Sequence, residues 1–330
     1  MPATFTAFRI HQDQGKVAGR MEQIALDDLS AGEVVVRVRY SSINFKDALA
    51  ATGAGKILRK FPLVGGIDLA GEVESSSDPA FAKGQKVVVT GCGLSETHDG
   101  GYAQFARLKS EWIVPIPAGL DEYQCMALGT AGFTAALAIH RMEHNGQEPQ
   151  QGEVAVTGAS GGVGSIAIDM LAGRGYRTVA ITGKQSSEAY LKQLGASRVL
   201  LRESISMGTR PLEEGQWAGA IDNLGGDMLA WLTRTTIPWG NIASIGMAGS
   251  AELKTTVMPF ILRGINLLGI NSVLTPRHER LDVWQRIGSD LKPRHLDQIA
   301  TRTIDLAQLP DAFDAYIKGG ITGRTVVRIP

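Results

Sequence analysis

The sequence predicts an α/β protein built from a β-rich, barrel-like part and a doubly wound parallel sheet. Three observations predict it. Over about the first 120 residues, short apolar or alternating runs are separated by Gly, Pro, Ser and Asp, the pattern of a barrel or sandwich. From about Gln124 the period changes, and strand-like and helix-like segments alternate, which implies parallel strands joined by helices. Within that half, residues 154–165 (VAVTGASGGVGS) read as a buried strand breaking into a glycine-rich turn that opens a helix.

The first part takes its strands from residues 4–10, 34–40, 71–74, 86–90 and 102–108, with one helix at 44–52. The second runs helix 124–141, strand 153–157, helix 166–173, strand 178–182, helix 187–194 and strand 198–201. Strand 219–222, helix 226–233 and strands 241–245 and 267–272 complete it. Segments 303–305 and 324–329 return to strand chemistry and are expected to rejoin the first part. The expected domains are therefore 1–123 with 302–330, and 124–301, with the site in a cleft between them.

A chain of 330 residues accommodates two such domains, and its 44% apolar and 20% charged content is ordinary for a globular enzyme. With 33 basic and 33 acidic residues, the formal charge is zero, which argues against nucleic acid or an anionic membrane as partner. No N-terminal apolar signal and no bilayer-length apolar run is seen. The two cysteines, Cys92 and Cys125, form no disulfide framework and are too few for a structural zinc site, so a reducing cytoplasm is the expected setting.

The glycine turn carries the first chemical inference. Gly158, Gly161, Gly162 and Gly164 let the backbone turn sharply and approach a ligand, and a helix N-terminus with its N–H groups suits a pyrophosphate. The end of strand 178–182 carries the second. NAD-binding folds place an Asp or Glu there against the ribose 2′-OH, but the chain reads Thr182-Gly183-Lys184-Gln185-Ser186, with no carboxylate before Glu188. Lys184, the Thr182 hydroxyl and Arg202 would attract a 2′-phosphate, at roughly 1.5–3 kcal/mol for each charged hydrogen bond. NADPH is the expected cofactor. Lys184 can also be read as a solvated loop lysine; the missing acid is the firmer half.

Several blocks together resemble the medium-chain dehydrogenase/reductase superfamily, in its zinc-free quinone-oxidoreductase branch. They are residues 44–47 (NFKD), 61–71 (FPLVGGIDLAG), 100–103 (GGYA), 129–135 (GTAGFTA), the glycine turn, 220–225 (AIDNLG) and 240–246 (GNIASIG). Residues 217–222 (WAGAID) and 255–263 (TTVMPFILR) look more specifically like an NADPH-dependent acrylyl-CoA reductase subgroup. The resemblance implies a GroES-like β-barrel catalytic domain and a Rossmann NADPH domain. The Gly-His-Glu element of zinc-dependent relatives corresponds to Gly66-Ile67-Asp68, and the early cysteine ligand to the neighbourhood of Asn44, so no metal is expected.

By the same resemblance, Asn44, Phe45, Thr130 and the Gly246-Met247 turn meet the nicotinamide. Ser160, Gly161, Gly162 and Val163 hold the pyrophosphate; Thr182, Gly183, Lys184 and Arg202 hold the 2′-phosphate; Ile261 and Ser272 line the nicotinamide side. Relatives often carry Tyr where Phe45 stands, and Phe cannot donate a proton. Without a metal, a bound NADPH reduces an already polarised double bond, here the β-carbon of acrylyl-CoA. The Asn44 amide or the backbone at Thr130 is expected to stabilise the thioester oxygen, and water or a nearby acid to supply the proton. Asp47 is read either as orienting Lys46 or a water, or as a helix N-terminal charge. His98 and Arg324 are candidate substrate contacts, Arg324 for the CoA phosphates. Quinone reduction and a non-catalytic NADPH-binding role are the competing readings. A homodimer, by sheet extension through residues 265–273, is expected by family analogy.

Overall fold

The computed structural model describes residues 3–330, which fall into two compact units: 3–130 with 273–288 and 296–330, and 131–272 with 289–295. Unit 1 opens with strands β1 (Phe5–Asp13) and β2 (Lys16–Ile24), then β3 (Val34–Ile43) and helix α1 (Phe45–Thr52). β4 (Leu63–Val64), β5 (Asp68–Ser76), β6 (Lys86–Thr90), β7 (Phe105–Leu108) and β8 (Val114–Pro115) follow. Helix α2 (Glu122–His144) leaves this unit through a break at Gly129.

Unit 2 then runs β9 (Glu153–Thr157), α3 (Gly162–Gly173), β10 (Arg177–Thr182), α4 (Glu188–Gln193), β11 (Ala196–Leu201) and β12 (Trp217–Asp222). It continues with α5 (Gly226–Thr235), β13 (Thr236–Ser244), α6 (Met258–Arg263) and β14 (Asn266–Gly269). The rest of unit 1 is α7 (Arg277–Ile287), α8 (Leu296–Ile299), β15 (Arg302–Asp305), α9 (Leu309–Ile317) and β16 (Thr325–Arg328).

Unit 1 has two sheets. A seven-stranded one runs β15-β16-β3-β5-β6-β8 with β7 also on β3, and a three-stranded one runs β2-β1-β4. Both close on one apolar core that includes Phe8, Ile10, Val36, Leu69, Val89, Tyr102 and Phe313. The terminal strand pairs antiparallel with β3, Thr325 opposite Ile43, so the chain's end does return to the first unit.

Unit 2 is a single parallel sheet in the order β11-β10-β9-β12-β13-β14, the doubly wound order in which the strand sequence reverses beside the first strand. Its central strands are covered on both faces and so read as apolar runs rather than alternating ones. Trp217 of β12 packs edge-on against Trp231 of α5 at 5.7 Å.

Several placements differ from the sequence reading, among them residues 124–130 and 296–301, which fall in unit 1. Residues 273–288 belong to unit 1, because Arg280 of α7 donates to the Thr90 carbonyl (2.8 Å) and Arg277 to the Ile113 carbonyl (3.0 Å). Strand β2 was not expected, because its sequence KVAGRMEQI is largely polar. It pairs fully with β1 through a tight turn in which Gln14 and Gly15 have φ of 50° and 82°.

Candidate functional site

In unit 1 the site is organised around Asp68, the first residue of β5, which is fully buried. Its Oδ2 accepts from the Ser42 hydroxyl (2.7 Å), the Asn44 amide (2.7 Å) and the Thr130 backbone N–H (2.9 Å). Its Oδ1 accepts from the Thr130 hydroxyl at 2.6 Å. The Arg324 guanidinium lies 3.8 Å from Oδ2 and donates to Ser42 Oγ (2.8 Å), Asn44 Oδ1 (2.9 Å) and the carbonyls of Ile43 and Ala127. A buried carboxylate is tolerated when charge and hydrogen bonds both compensate it. Here both do.

This cluster also explains the break in α2. Gly129 has φ 53°, and a Cβ there would lie 2.5 Å from Asp68 Oδ2, 2.5 Å from Arg324 Nη2 and 2.7 Å from Ser42 Oγ. Thr130 therefore starts a fresh helical segment whose first N–H is received by a carboxylate from another strand. The sequence showed the glycine but read helix 124–141 as continuous.

Asp47 sits at the third position of α1 and is buried. It accepts from the N–H groups of Asn44 (2.8 Å) and Ile67 (2.9 Å). Burial, and then the charge of Asp68, push its carboxyl up to about 7. Of the two expected roles, the helix N-terminal one fits. Orienting Lys46 does not, since Lys46 pairs with Glu96. Phe45, one position into the helix, is 51% exposed, an unusual amount for an aromatic ring.

In unit 2 the glycine turn follows β9 as expected. Ser165 is the first residue of α3 to bond back, to the Gly161 carbonyl at 2.9 Å, so the N–H groups of Gly162, Val163 and Gly164 precede the helical ladder. A Cβ on Gly164 would lie 2.5 Å from the Gly158 carbonyl oxygen, which fixes glycine there. Ser160 Oγ lies 3.3 Å from Thr182 Oγ1, and Thr182 Oγ1 accepts the Lys184 N–H at 3.1 Å. The Arg202 guanidinium lies against Gly183, 3.4 Å from where a Cβ would be. Thus Ser160, Thr182, Gly183, Lys184 and Arg202 gather at one corner. Met247, 70% exposed, lies in the loop after β13, Ile261, 73% exposed, is on α6, and Ser272 is half-buried.

Other expectations need correction. Asn44 gives its amide hydrogens to Asp68 and Asp47, its amide oxygen accepts from Arg324, and the Thr130 N–H goes to Asp68, so neither is a spare oxyanion donor. Arg324 is 3% exposed and held by the cluster, out of reach of a CoA phosphate. His98 is buried edge-on against Trp112, its ring nitrogens each 3.1 Å from a carbonyl oxygen, of Asp99 and of Ala31, so it is a packing residue. Asp68 and Ser42 were missed. A lone acid inside the apolar run LVGGIDLAG is the available signal, which the family resemblance covers only as part of the replaced Gly-His-Glu element.

The donor set does not fit zinc. Where the imidazole ligand would stand there is the alkyl side chain of buried Ile67, and Asn44 is committed to two carboxylates. Burial raises both thiols, Cys92 and Cys125. Among the described residues, no group of three or more His, Cys, Asp or Glu is placed to hold a metal ion. No helix among them is long and apolar enough to cross a membrane.

Comparison with known proteins agrees with this architecture. Residues 30–118 match the alcohol dehydrogenase GroES-like domain, and residues 162–288 the zinc-binding dehydrogenase family. The chain is 47% identical over 323 residues to the "Probable acrylyl-CoA reductase AcuI" of Escherichia coli, covering 98% of this chain and 99% of that one. It is 44% identical over 330 residues to the "Putative quinone oxidoreductase YhfP" of Bacillus subtilis, covering all of both. The crystal structure of YhfP with NAD bound superposes with a TM-score of 0.96 over 99% of this chain and all of that one. The yhdH oxidoreductase of Salmonella enterica in complex with NADP is 46% identical, with a TM-score of 0.95 over 98% of this chain and all of that one. The chain belongs to the medium-chain dehydrogenase/reductase superfamily, in the zinc-free branch that contains these acrylyl-CoA and quinone reductases.

Proposed function

We propose that this chain is an NADPH-dependent reductase of an activated carbon–carbon double bond, converting acrylyl-CoA to propionyl-CoA. The observation that carries the reading is the corner of unit 2 beyond β10. There Thr182, Lys184 and Arg202 gather where an NAD-preferring fold would set a carboxylate. The first-turn N–H groups of α3 suit the pyrophosphate. When bound, NADPH supplies the hydride, which goes to the β-carbon of the thioester.

In unit 1, exposed Phe45 offers a flat apolar surface, and Asn44 and Thr130, immobilised on Asp68, fix the polar edge beside it. Met247, Ile261 and Ser272 are assigned to the nicotinamide side by the family resemblance. The side chains of the Asp68 cluster spend their protons on one another, so we assign the α-carbon proton to water. A homodimer fits the edge position of β14 and the exposed apolar side chains of Trp239 (74%), Val257 (66%) and Leu262 (62%) near it. A reducing cytoplasm fits two free thiols.

The test is NADPH oxidation with acrylyl-CoA and with 1,4-benzoquinone in parallel, repeated with NADH because YhfP was crystallised with NAD. Faster turnover of acrylyl-CoA with NADPH is expected. Equal or faster turnover of the quinone would give the quinone-reductase reading instead, and no turnover of either would favour a binding protein.

A further inference from the structure

We propose that the loop after α1, through Lys56, Arg59 and Lys60, is a subsite for the phosphates of coenzyme A. The inference rests on the thioester-reductase reading above. It supplies the phosphate contact that Arg324, committed to the Asp68 cluster, cannot make. Every residue of the subsite lies in unit 1.

Residues 53–62 (GAGKILRKFP) carry three cations and no acid, in a chain whose formal charge is zero. The loop is pinned. Gly53, with φ 73°, ends α1 in the left-handed conformation and turns the chain back. The Gly55 N–H then bonds to the Leu49 carbonyl (3.2 Å) and the Arg59 N–H to the Glu96 carbonyl (2.7 Å). Leu58 is buried, and Ile57 and Phe61 pack against the core of unit 1. With these apolar side chains turned inward, Lys56, Arg59 and Lys60 are left exposed.

These cations differ from others of unit 1 in having no carboxylate to answer them. Arg37 and Lys83 share Glu74, at 3.0 and 3.1 Å, and Lys86 pairs with Glu122 at 3.0 Å. Among the described residues, Lys56, Arg59 and Lys60 form no ion pair, and Lys60 Nζ reaches only the Ser30 hydroxyl, at 3.4 Å. The acids beside the loop are already spent. Glu96 holds Lys46, and buried Asp99 accepts from Ser30 and from the Val64 N–H.

Three unneutralised cations on a fixed loop repel one another, and a small polyanion relieves that repulsion. Coenzyme A is such a ligand: its diphosphate and 3′-phosphate lie at the end remote from the thioester. The Arg59 guanidinium suits phosphate oxygens, which it can bind in pairs. Arg59 is bonded to Glu96, and Glu96 to Lys46, the neighbour of exposed Phe45. The loop thus flanks the apolar surface assigned above to the site.

The experiment compares kcat/KM for acrylyl-CoA and for acrylyl-pantetheine, which lacks the nucleotide, at saturating NADPH. Wild-type protein should favour acrylyl-CoA about 100-fold, and Arg59→Ala should reduce that preference about tenfold, the value of one charged hydrogen bond. Arg59→Glu combined with Lys60→Glu should abolish it. Lys83→Glu, a charge reversal at a side chain 72% exposed on another loop of unit 1, should leave it intact. If the pantetheine thioester turns over too slowly to compare, the KM for acrylyl-CoA decides: it should rise in the double variant while that for NADPH stays constant. An unchanged preference in the double variant, an equal fall in Lys83→Glu, or a parallel rise in the KM for NADPH would overturn the subsite and leave the reductase reading intact. Wild-type protein that reduces both thioesters equally well would do the same. No turnover of either thioester would overturn both.

Discussion

Around Asp68 in unit 1, donors and acceptors are matched within the protein, whereas the first turn of α3 in unit 2 keeps three N–H groups ahead of its helical ladder. The first arrangement is rigid before any ligand arrives. The second gains its partners from a ligand. Immobility matters where a reacting ring must be held to within fractions of an ångström, and unspent donors matter where charged phosphates must be attracted. The two regions should therefore respond differently to substitution, one in stability and the other in affinity.

The largest effect is expected at Gly129. Gly129→Ala drives a methyl group into Asp68, Arg324 and Ser42, and should cost about 3–5 kcal/mol, the value of a disrupted buried ion pair. Gly175→Ala is the comparison, since φ there is also positive at 84° but nothing lies within 4 Å; about 1–2 kcal/mol is expected. Urea unfolding of both variants would show it. Similar losses at the two positions would mean that backbone conformation, and not the cluster, demands glycine.

Next is Gly164→Ala, whose Cβ would meet the Gly158 carbonyl oxygen. NADPH affinity should fall about 100-fold, equivalent to about 2.7 kcal/mol, with a smaller change in melting temperature than Gly129→Ala. Undiminished affinity in a fluorescence titration would remove the turn from the cofactor site. Lys184→Asp should raise the KM for NADPH about tenfold or more and leave that for NADH nearly unchanged. A parallel rise for both cofactors would refute the 2′-phosphate assignment.

The smallest effect concerns pH. The folded-state carboxyl of Asp47 is raised from 3.8 to about 7, so the fold retains a proton that the unfolded chain has released. This group's contribution to stability is present in full below pH 4 and is lost as pH rises to about 7. Asp47→Asn should flatten that decline in unfolding free energies measured at pH 4.5, 6 and 7.5. An identical slope in the variant would show that other groups set it.

What the sequence disclosed divides along the same line as the two regions. The turn of unit 2 is local: strand, glycines and helix lie within residues 154–173, and the absent acid is read a short distance on. Alternation of strands and helices likewise announced the parallel sheet. The Asp68 cluster is not local. Ser42 with Asn44, Asp68, Thr130 and Arg324 come from four separate stretches, and only the folded sheet brings them within hydrogen-bond range. Hence Arg324 looked like a phosphate contact and Asn44 like an oxyanion donor, each a reasonable role for its side chain in isolation. Helix α7 escaped notice for another reason. Its charged sequence RHERLDVWQRI buries Val283, Trp284 and Ile287 along a narrow stripe.

The central claim is hydride transfer to the β-carbon of an acrylyl thioester, and isotope placement tests it most directly. With NADPH deuterated at both C4 positions and acrylyl-CoA in ordinary water, the propionyl-CoA formed should carry one deuterium, on C3. Deuterium at C2, or product free of label, would contradict it.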